Sequence, residues 1–156
     1  MTLYLDTEFN GHAGQLISLA LVSSSSPDYF YGVLPIAKHR YVESWVIDNV
    51  LPHLNQDPEP LSHFRDRLRA FLQRYAGKEI VADWPGDFAH LMGLMCGPSY
   101  DKSFIIPCTL VLVESGDLQS DTPHNALSDA RALMKWHRVK EHEENEARLA
   151  FLRRGD

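Results

Sequence analysis

Over the first third of the chain, apolar residues run in short blocks rich in β-branched and aromatic side chains, at 3–6, 15–23 and 29–34. Asn10-Gly11 and the serine cluster ahead of Asp28 interrupt them, so the pattern predicts a three-stranded meander. From residue 42 the apolar spacing becomes helical. Two helices are expected, at 42–54 and 61–75, divided by Asp57-Pro58-Glu59-Pro60. In the second, Leu61, Phe64, Leu68, Phe71, Leu72 and Tyr75 form one stripe, which reads as a core face.

After Gly77 the run 79–82 reads as a buried strand, Trp84-Pro85-Gly86 as a turn, and 87–95 as a helix opened by an acid. Gly97-Pro98 closes that helix. The segment 103–108 reads as a fifth strand, 109–114 fits either a strand or a helix, and 115–122 is a polar loop. From residue 126 the pattern is helical, with room for a break near Glu141. No repeat or linker divides these elements. The chain therefore reads as one α/β domain over 1–156, a mixed five-stranded sheet flanked by helices.

Composition narrows the class. With 156 residues, 44% hydrophobic and 23% charged, the chain can bury a substantial core, which excludes disorder, a coiled coil and a collagen-like fibre. Fifteen Lys and Arg against 21 Asp and Glu give a charge of −6, which argues against a broad basic surface for duplex nucleic acid. Cys96 and Cys108 are too few for a disulfide framework. The longest early apolar run, 16–22, is too short to span a bilayer, so a soluble cytoplasmic protein with no membrane attachment is expected.

Three places carry candidate chemistry. In Asp6-Thr7-Glu8, strand alternation puts both carboxylates on one face, about 6 to 7 Å apart along the chain. Like charges at the end of an apolar strand repel, and a hard cation such as Mg²⁺ would neutralise them. Where the strand 79–82 ends, Asp83 and Asp87 flank a turn at the carboxyl edge of the sheet, where sites tend to assemble. Alone, Asp87 serves equally as a helix N-terminal charge. In Pro123-His124-Asn125-Ala126-Leu127-Ser128-Asp129, Asn125 is a fitting N-cap, with His124 in the loop before the helix and Asp129 in its opening turns.

Together, Asp-x-Glu on the first strand, an Asp at a mid-chain strand-to-helix junction, and His-x-x-x-x-Asp opening a late helix resemble the DEDD superfamily of 3′-to-5′ exonucleases. The histidine marks its DEDDh branch, and the short chain looks like small stand-alone bacterial exoribonucleases of the ribonuclease T and oligoribonuclease kind. The motif segments cover about a fifth of the chain. One departure stands out: the family's second motif commonly runs Asn, two residues, then an aromatic-Asp pair, whereas this chain has Asp83-Trp84-Pro85-Gly86-Asp87. Asp87 fits the helix-start position with one residue deleted, and Asp83 fits the strand end without that gap.

The resemblance implies a ribonuclease-H-like fold and two divalent cations, Mg²⁺ or Mn²⁺, held by Asp6, Glu8, Asp87 and Asp129, with Asp83 as the alternative to Asp87. It implies that neutral His124 takes a proton from water as a nucleoside 5′-monophosphate leaves a single-stranded RNA, or DNA, 3′ end. It places the residues after Glu8 beside the terminal nucleotide. Phe9 then becomes a base-stacking platform, Thr7 and Asn10 backbone contacts, and Trp84 a second stacking candidate. A homodimer is a further family expectation, with 149–152 as a small apolar patch. The cations Arg65, Arg67, Arg69, Arg74 and Lys78 either guide a phosphate backbone or form a solvated face; the helical spacing of Arg65 and Arg69 favours the solvated face. No zinc spacing, phosphate loop or nucleophile elbow is present.

Overall fold

A computed structural model describes residues 1–12, 14–37, 41–99 and 103–153. Five strands, β1 (Thr2–Phe9), β2 (Leu16–Ser23), β3 (Tyr29–Val33), β4 (Glu79–Ala82) and β5 (Thr109–Leu112), form one mixed sheet in the order β3-β2-β1-β4-β5. The meander β1-β2-β3 is antiparallel, while β4 pairs parallel to β1 and β5 parallel to β4. Helices cover both faces: α1 (Ser44–Asn49), α2 (Leu61–Arg74), α3 (Pro85–Cys96) and α4 (Ala126–Arg153).

Alternation along β1 assigns the faces. Leu3 and Leu5 pack with Phe64, Leu68, Leu91 and Leu94 of α2 and α3, whereas Tyr4 packs with Leu133 of α4. Every residue of β2 is buried, because helices cover it on both sides. Asp6 and Glu8 share the parity of Tyr4 and Thr7 shares that of Leu5, so the two carboxylates lie toward α4 and Thr7 toward α3.

The sequence pattern misplaces some elements. The expected helix 42–54 is a six-residue α1 followed by a 3₁₀ turn at Leu51–His53. Pro52 has no N–H to donate, so the ladder of α1 cannot continue through it. The expected fifth strand at 103–108 is extended chain, and the strand lies at Thr109–Leu112. Phe104 and Ile106 alternate into the core as a strand would. However, Phe104 N–H bonds Met95 O, Pro107 has no N–H and only accepts, from Gly77 N–H at 2.6 Å, and residue pairing with β4 starts at Thr109, whose N–H reaches Lys78 O. Helix α4 runs without a break at Glu141, and Leu61 of the expected stripe is exposed.

The expected solvated face of α2 also needs correction. Arg67 pairs with buried Glu59, donates to Tyr31 O at 3.0 Å and lies over the Phe30 ring. Arg65 donates to Leu94 O at 2.7 Å, near the C-terminal end of α3. Both hold elements together. From residue 139 to 152 the side chains of α4 are exposed, Leu149, Phe151 and Leu152 included. Among the described residues no helix is long and apolar enough to cross a membrane.

Candidate metal centre

Strand register builds the first half of the centre. Tyr4 lies beside Val81 in the parallel β1-β4 pair. Two residues further on in each segment, Asp6, inside β1, and Asp83, just past the end of β4, come close together. The chain then turns at Trp84 into α3, with Pro85 at its first turn, where a missing N–H costs nothing. Asp87 is thereby carried back over the sheet edge. It is 2% exposed, and Thr7 Oγ1 donates to its Oδ1 at 2.6 Å. Donor oxygens of Asp6, Asp83 and Asp87 lie within 4.8 Å of one another.

The second half comes from the start of α4. Asn125 caps it as expected: Ser128 N–H donates to Asn125 Oδ1 at 3.1 Å, while Asn125 Nδ2 donates to His53 O at 2.8 Å. His124, just before the cap, adopts the left-handed backbone conformation with φ 64°, and its N–H donates to Asp129 Oδ2 at 2.9 Å. That conformation costs a non-glycine residue about 1–3 kcal/mol unless its surroundings enforce it. Ser128 Oγ accepts from Ser120 Oγ and Thr122 N–H, which fastens the preceding loop. Donor atoms of Glu8, His124 and Asp129 also lie within 4.8 Å of one another.

Five carboxylates therefore converge on one edge of the sheet, and Asp83 and Asp87 are both present. They differ in their surroundings. Asp83 Oδ2 accepts a bond from Ser115 Oγ, and Asp83 does not line the cleft. Asp87 lines it. Among the described residues, Asp6 Oδ2 and Asp87 Oδ2 are buried with no hydrogen-bond partner. A buried carboxylate oxygen without a partner is costly unless a cation or proton meets it.

The electrostatics express the same crowding. Burial pushes Asp6 well above the usual carboxylate range, and Asp87, Glu8, Asp129 and Asp83 add to the rise. Glu8 is pushed up to about 8 by burial, then by Asp129 and Asp87. Asp87 is pushed up to about 7 by burial and by Asp83, against the downward pull of the Thr7 hydroxyl bond. Burial also raises Asp129, opposed by the nearby Ser120 hydroxyl and by the bond from the His124 N–H. A hard cation resolves this repulsion with the oxygen donors that Mg²⁺ and Mn²⁺ favour. The residues present fit such an ion.

The cleft above these groups has a volume of about 600 Å³. Asp6, Glu8, Asp87, Asp129 and His124 line it, together with Thr7, Phe9 and Trp84. The Thr7 hydroxyl donates to Asp87, so this side chain positions a carboxylate. Asn10 does not line the cleft. Its Nδ2 donates to Tyr41 O at 2.7 Å and its Oδ1 accepts from Glu43 N–H at 3.0 Å, which ties the turn after β1 to the segment leading into α1.

That segment delivers two residues that the sequence pattern does not single out, Glu43 and Trp45, which line the cleft with Gly11 and His12. The Trp45 ring meets His124 edge to face. Gly11 has φ 69°, and a Cβ there would collide with the Glu43 carboxylate. The available signal was an exposed tryptophan beside buried Val46 on a short helix, which needs the fold to become informative. No protein-family model matches the chain, and no curated protein matches it significantly.

Proposed function

We propose that this protein is a metal-dependent 3′-to-5′ exonuclease of the DEDDh kind that shortens single-stranded RNA ends. The observation that carries the reading is the convergence of Asp6, Glu8, Asp87 and Asp129 with His124 around two buried, unpartnered carboxylate oxygens. The strand order β3-β2-β1-β4-β5, with three antiparallel strands followed by two parallel ones, supports a ribonuclease-H-like assignment.

Asp6, Glu8, Asp87 and Asp129 would hold divalent cations, with Asp83 supporting them. Bound cations would supply positive charge to neutralise the carboxylates, stabilise charge on the phosphodiester and make water easier to deprotonate. The chain's own groups do the rest. His124, fixed by its backbone bond to Asp129, accepts the proton of the water that attacks phosphorus. The bond to the preceding 3′ oxygen breaks, and a nucleoside 5′-monophosphate leaves. Phe9 offers a face on which any terminal base stacks, which suits a trimming enzyme without sequence preference. The charge of −6 disfavours long-range capture of duplexes and suits a single-stranded end gripped locally.

The test uses 3′- and 5′-labelled RNA and DNA oligonucleotides incubated with Mg²⁺, Mn²⁺ or chelator. Stepwise shortening from the 3′ end that chelator abolishes, faster on RNA, is expected. Faster trimming of DNA would reassign the substrate, and binding without cleavage under every metal condition would remove the enzymatic reading.

A further inference from the structure

The cations of this chain are not spread evenly over the sheet. Helix α2, which carries Arg69 and Arg74, packs with α3 on the face of Leu3 and Leu5, whereas α4 covers the opposite face, that of Tyr4. Along the first half of α4, Arg131, Lys135 and Arg138 follow at i, i+4 and i+7 and form one exposed stripe, turned away from buried Ala130 and Leu133. The acids Glu141, Glu143, Glu144 and Glu146 begin only beyond it.

The stripe lies against the turn between β2 and β3. Arg131 Cζ stands 5.2 Å over the ring of Tyr29, and Arg138 donates to Ser24 O. Tyr29 and Ser26 from the turn, with Arg131 and Lys135 from the helix, line a hollow of about 230 Å³ whose described lining holds no carboxylate. Two acids approach this surface, and neither cancels it. Asp28 is held by Arg74 at 2.9 Å and accepts from the Tyr75 hydroxyl. Asp121 stands 3.8 Å from Lys135 with both side chains exposed, where water screens the pair. Among the described residues Arg131 has no carboxylate at ion-pair distance.

We infer that this stripe carries the phosphate backbone of the single-stranded RNA body whose 3′ end lies in the cleft, an inference that rests on the exonuclease reading above. Arg131 follows Asp129 by two residues, about 3 Å along the helix axis and a little over half a turn around it. A strand leaving the cleft across the start of α4 therefore descends onto the stripe, which Arg138 extends to about 14 Å from Asp129 along the axis. The α1 side of the cleft presents Glu43 instead, which repels a phosphate. Tyr29 fixes the plane of the Arg131 guanidinium and leaves its N–H edge to phosphate oxygens, a fork suited to bidentate contact. The acidic chain thus holds one local track for a polyanion, and its grip grows with RNA length.

The test measures the affinity of 5′-fluorescent RNAs of four and twelve nucleotides across a KCl series, with Ca²⁺ replacing Mg²⁺ to hold turnover back. The wild type is compared with the double variant Arg131→Gln/Lys135→Gln and with Lys140→Gln, which removes a cation from another face of the same helix. The wild type should bind the longer RNA about five- to tenfold more tightly, and the double variant should lose most of that gain while binding the tetranucleotide within about twofold of wild type. Its slope of log affinity against log salt on the longer RNA should be shallower by about 1.4, or about 0.7 for each lost single-strand contact. Lys140→Gln should match the wild type. Equal wild-type affinity for the two lengths, an equal loss on both in the double variant, or as large a loss in Lys140→Gln overturns the inference. Poly-glutamate that displaces the longer RNA at equal charge concentration overturns it too, and assigns the stripe to an acidic polypeptide. Parallel incubations in Mg²⁺ separate the two claims. Length-dependent binding through the stripe without chelator-sensitive shortening removes the exonuclease reading alone, and shortening without length dependence removes the stripe alone.

Discussion

The imidazole of His124 meets the indole of Trp45 edge to face, with ring centroids 4.7 Å apart and planes at 78°. Trp45 lies nearly 80 residues earlier in the chain, on the six-residue helix α1, and is brought to the cleft by the bonds of Asn10 to the 41–43 segment. His124 is thus held by its backbone bond to Asp129 and steered by an aromatic edge. His124→Ala is expected to lose about 10²- to 10⁴-fold in kcat while still binding Mn²⁺. Trp45→Ala should lose about two- to tenfold, the worth of one aromatic pair, and Trp45→Phe should recover most of it. Steady-state kinetics on a short RNA decide this, and an unchanged rate in His124→Ala would remove it as the base.

Asp83 and Asp87 should separate under substitution. Asp87 faces the cleft with an unpartnered buried oxygen, so Asp87→Asn is expected to remove turnover at every metal concentration. Asp83 is bonded to Ser115 and stands behind the others, so Asp83→Asn should cost about 10- to 100-fold in metal affinity and keep activity at saturating metal. Calorimetric Mn²⁺ titration beside kinetics distinguishes them. Loss of activity confined to Asp83→Asn would exchange the two roles.

Stability of the chelated protein should fall as pH rises. Glu8 and Asp87 are pushed up to about 8 and about 7 in the folded state, and Asp6 is raised as well. In the unfolded chain these carboxyls titrate near about 4. Between those limits the folded protein binds more protons, so this contribution is full below about pH 4 and is lost toward pH 8. Added Mg²⁺ should reverse the trend by binding the ionised carboxylates. The expected result is a lower Tm at pH 8 than at pH 5.5 in chelator, with the larger metal-induced rise at pH 8. A Tm in chelator that climbs across this interval would contradict the crowded-carboxylate picture.

Gly32, on the edge strand β3, allows a test of the core alone. A Cβ at this position would lie 2.5 Å from Phe64 Cε2 and 2.9 Å from Glu59 Oε1. Gly32→Ala must displace a fully buried ring and the carboxylate paired with Arg67, and should destabilise by about 1–3 kcal/mol. A urea midpoint shift at unchanged m-value would show it.

The strands and helices were legible where burial is periodic along the chain. Apolar blocks mark β1 to β4, and the 3.6-residue stripe of Phe64, Leu68 and Phe71 marks α2. Legibility failed where a single backbone group decides. Phe104 and Ile106 alternate like a strand, yet Phe104 N–H goes to Met95 O and Pro107 has no N–H to donate, and Pro52 ends a helix that the apolar pattern alone would continue.

The same division holds for the candidate centre. Asp6 and Glu8 share a face because β alternation is local, and Asn125 caps α4 because capping is local, so both could be read from the chain by itself. That Asp83 comes beside Asp6, that Thr7 holds Asp87, and that Trp45 meets His124 were decided by strand pairing and helix packing across separations of 77, 80 and 79 residues. Local chemistry selected the residue types, and only tertiary packing, which gathers five carboxylates along one sheet edge, buries Asp87 and leaves two of their oxygens without partners, turned them into a cluster that could hold a cation.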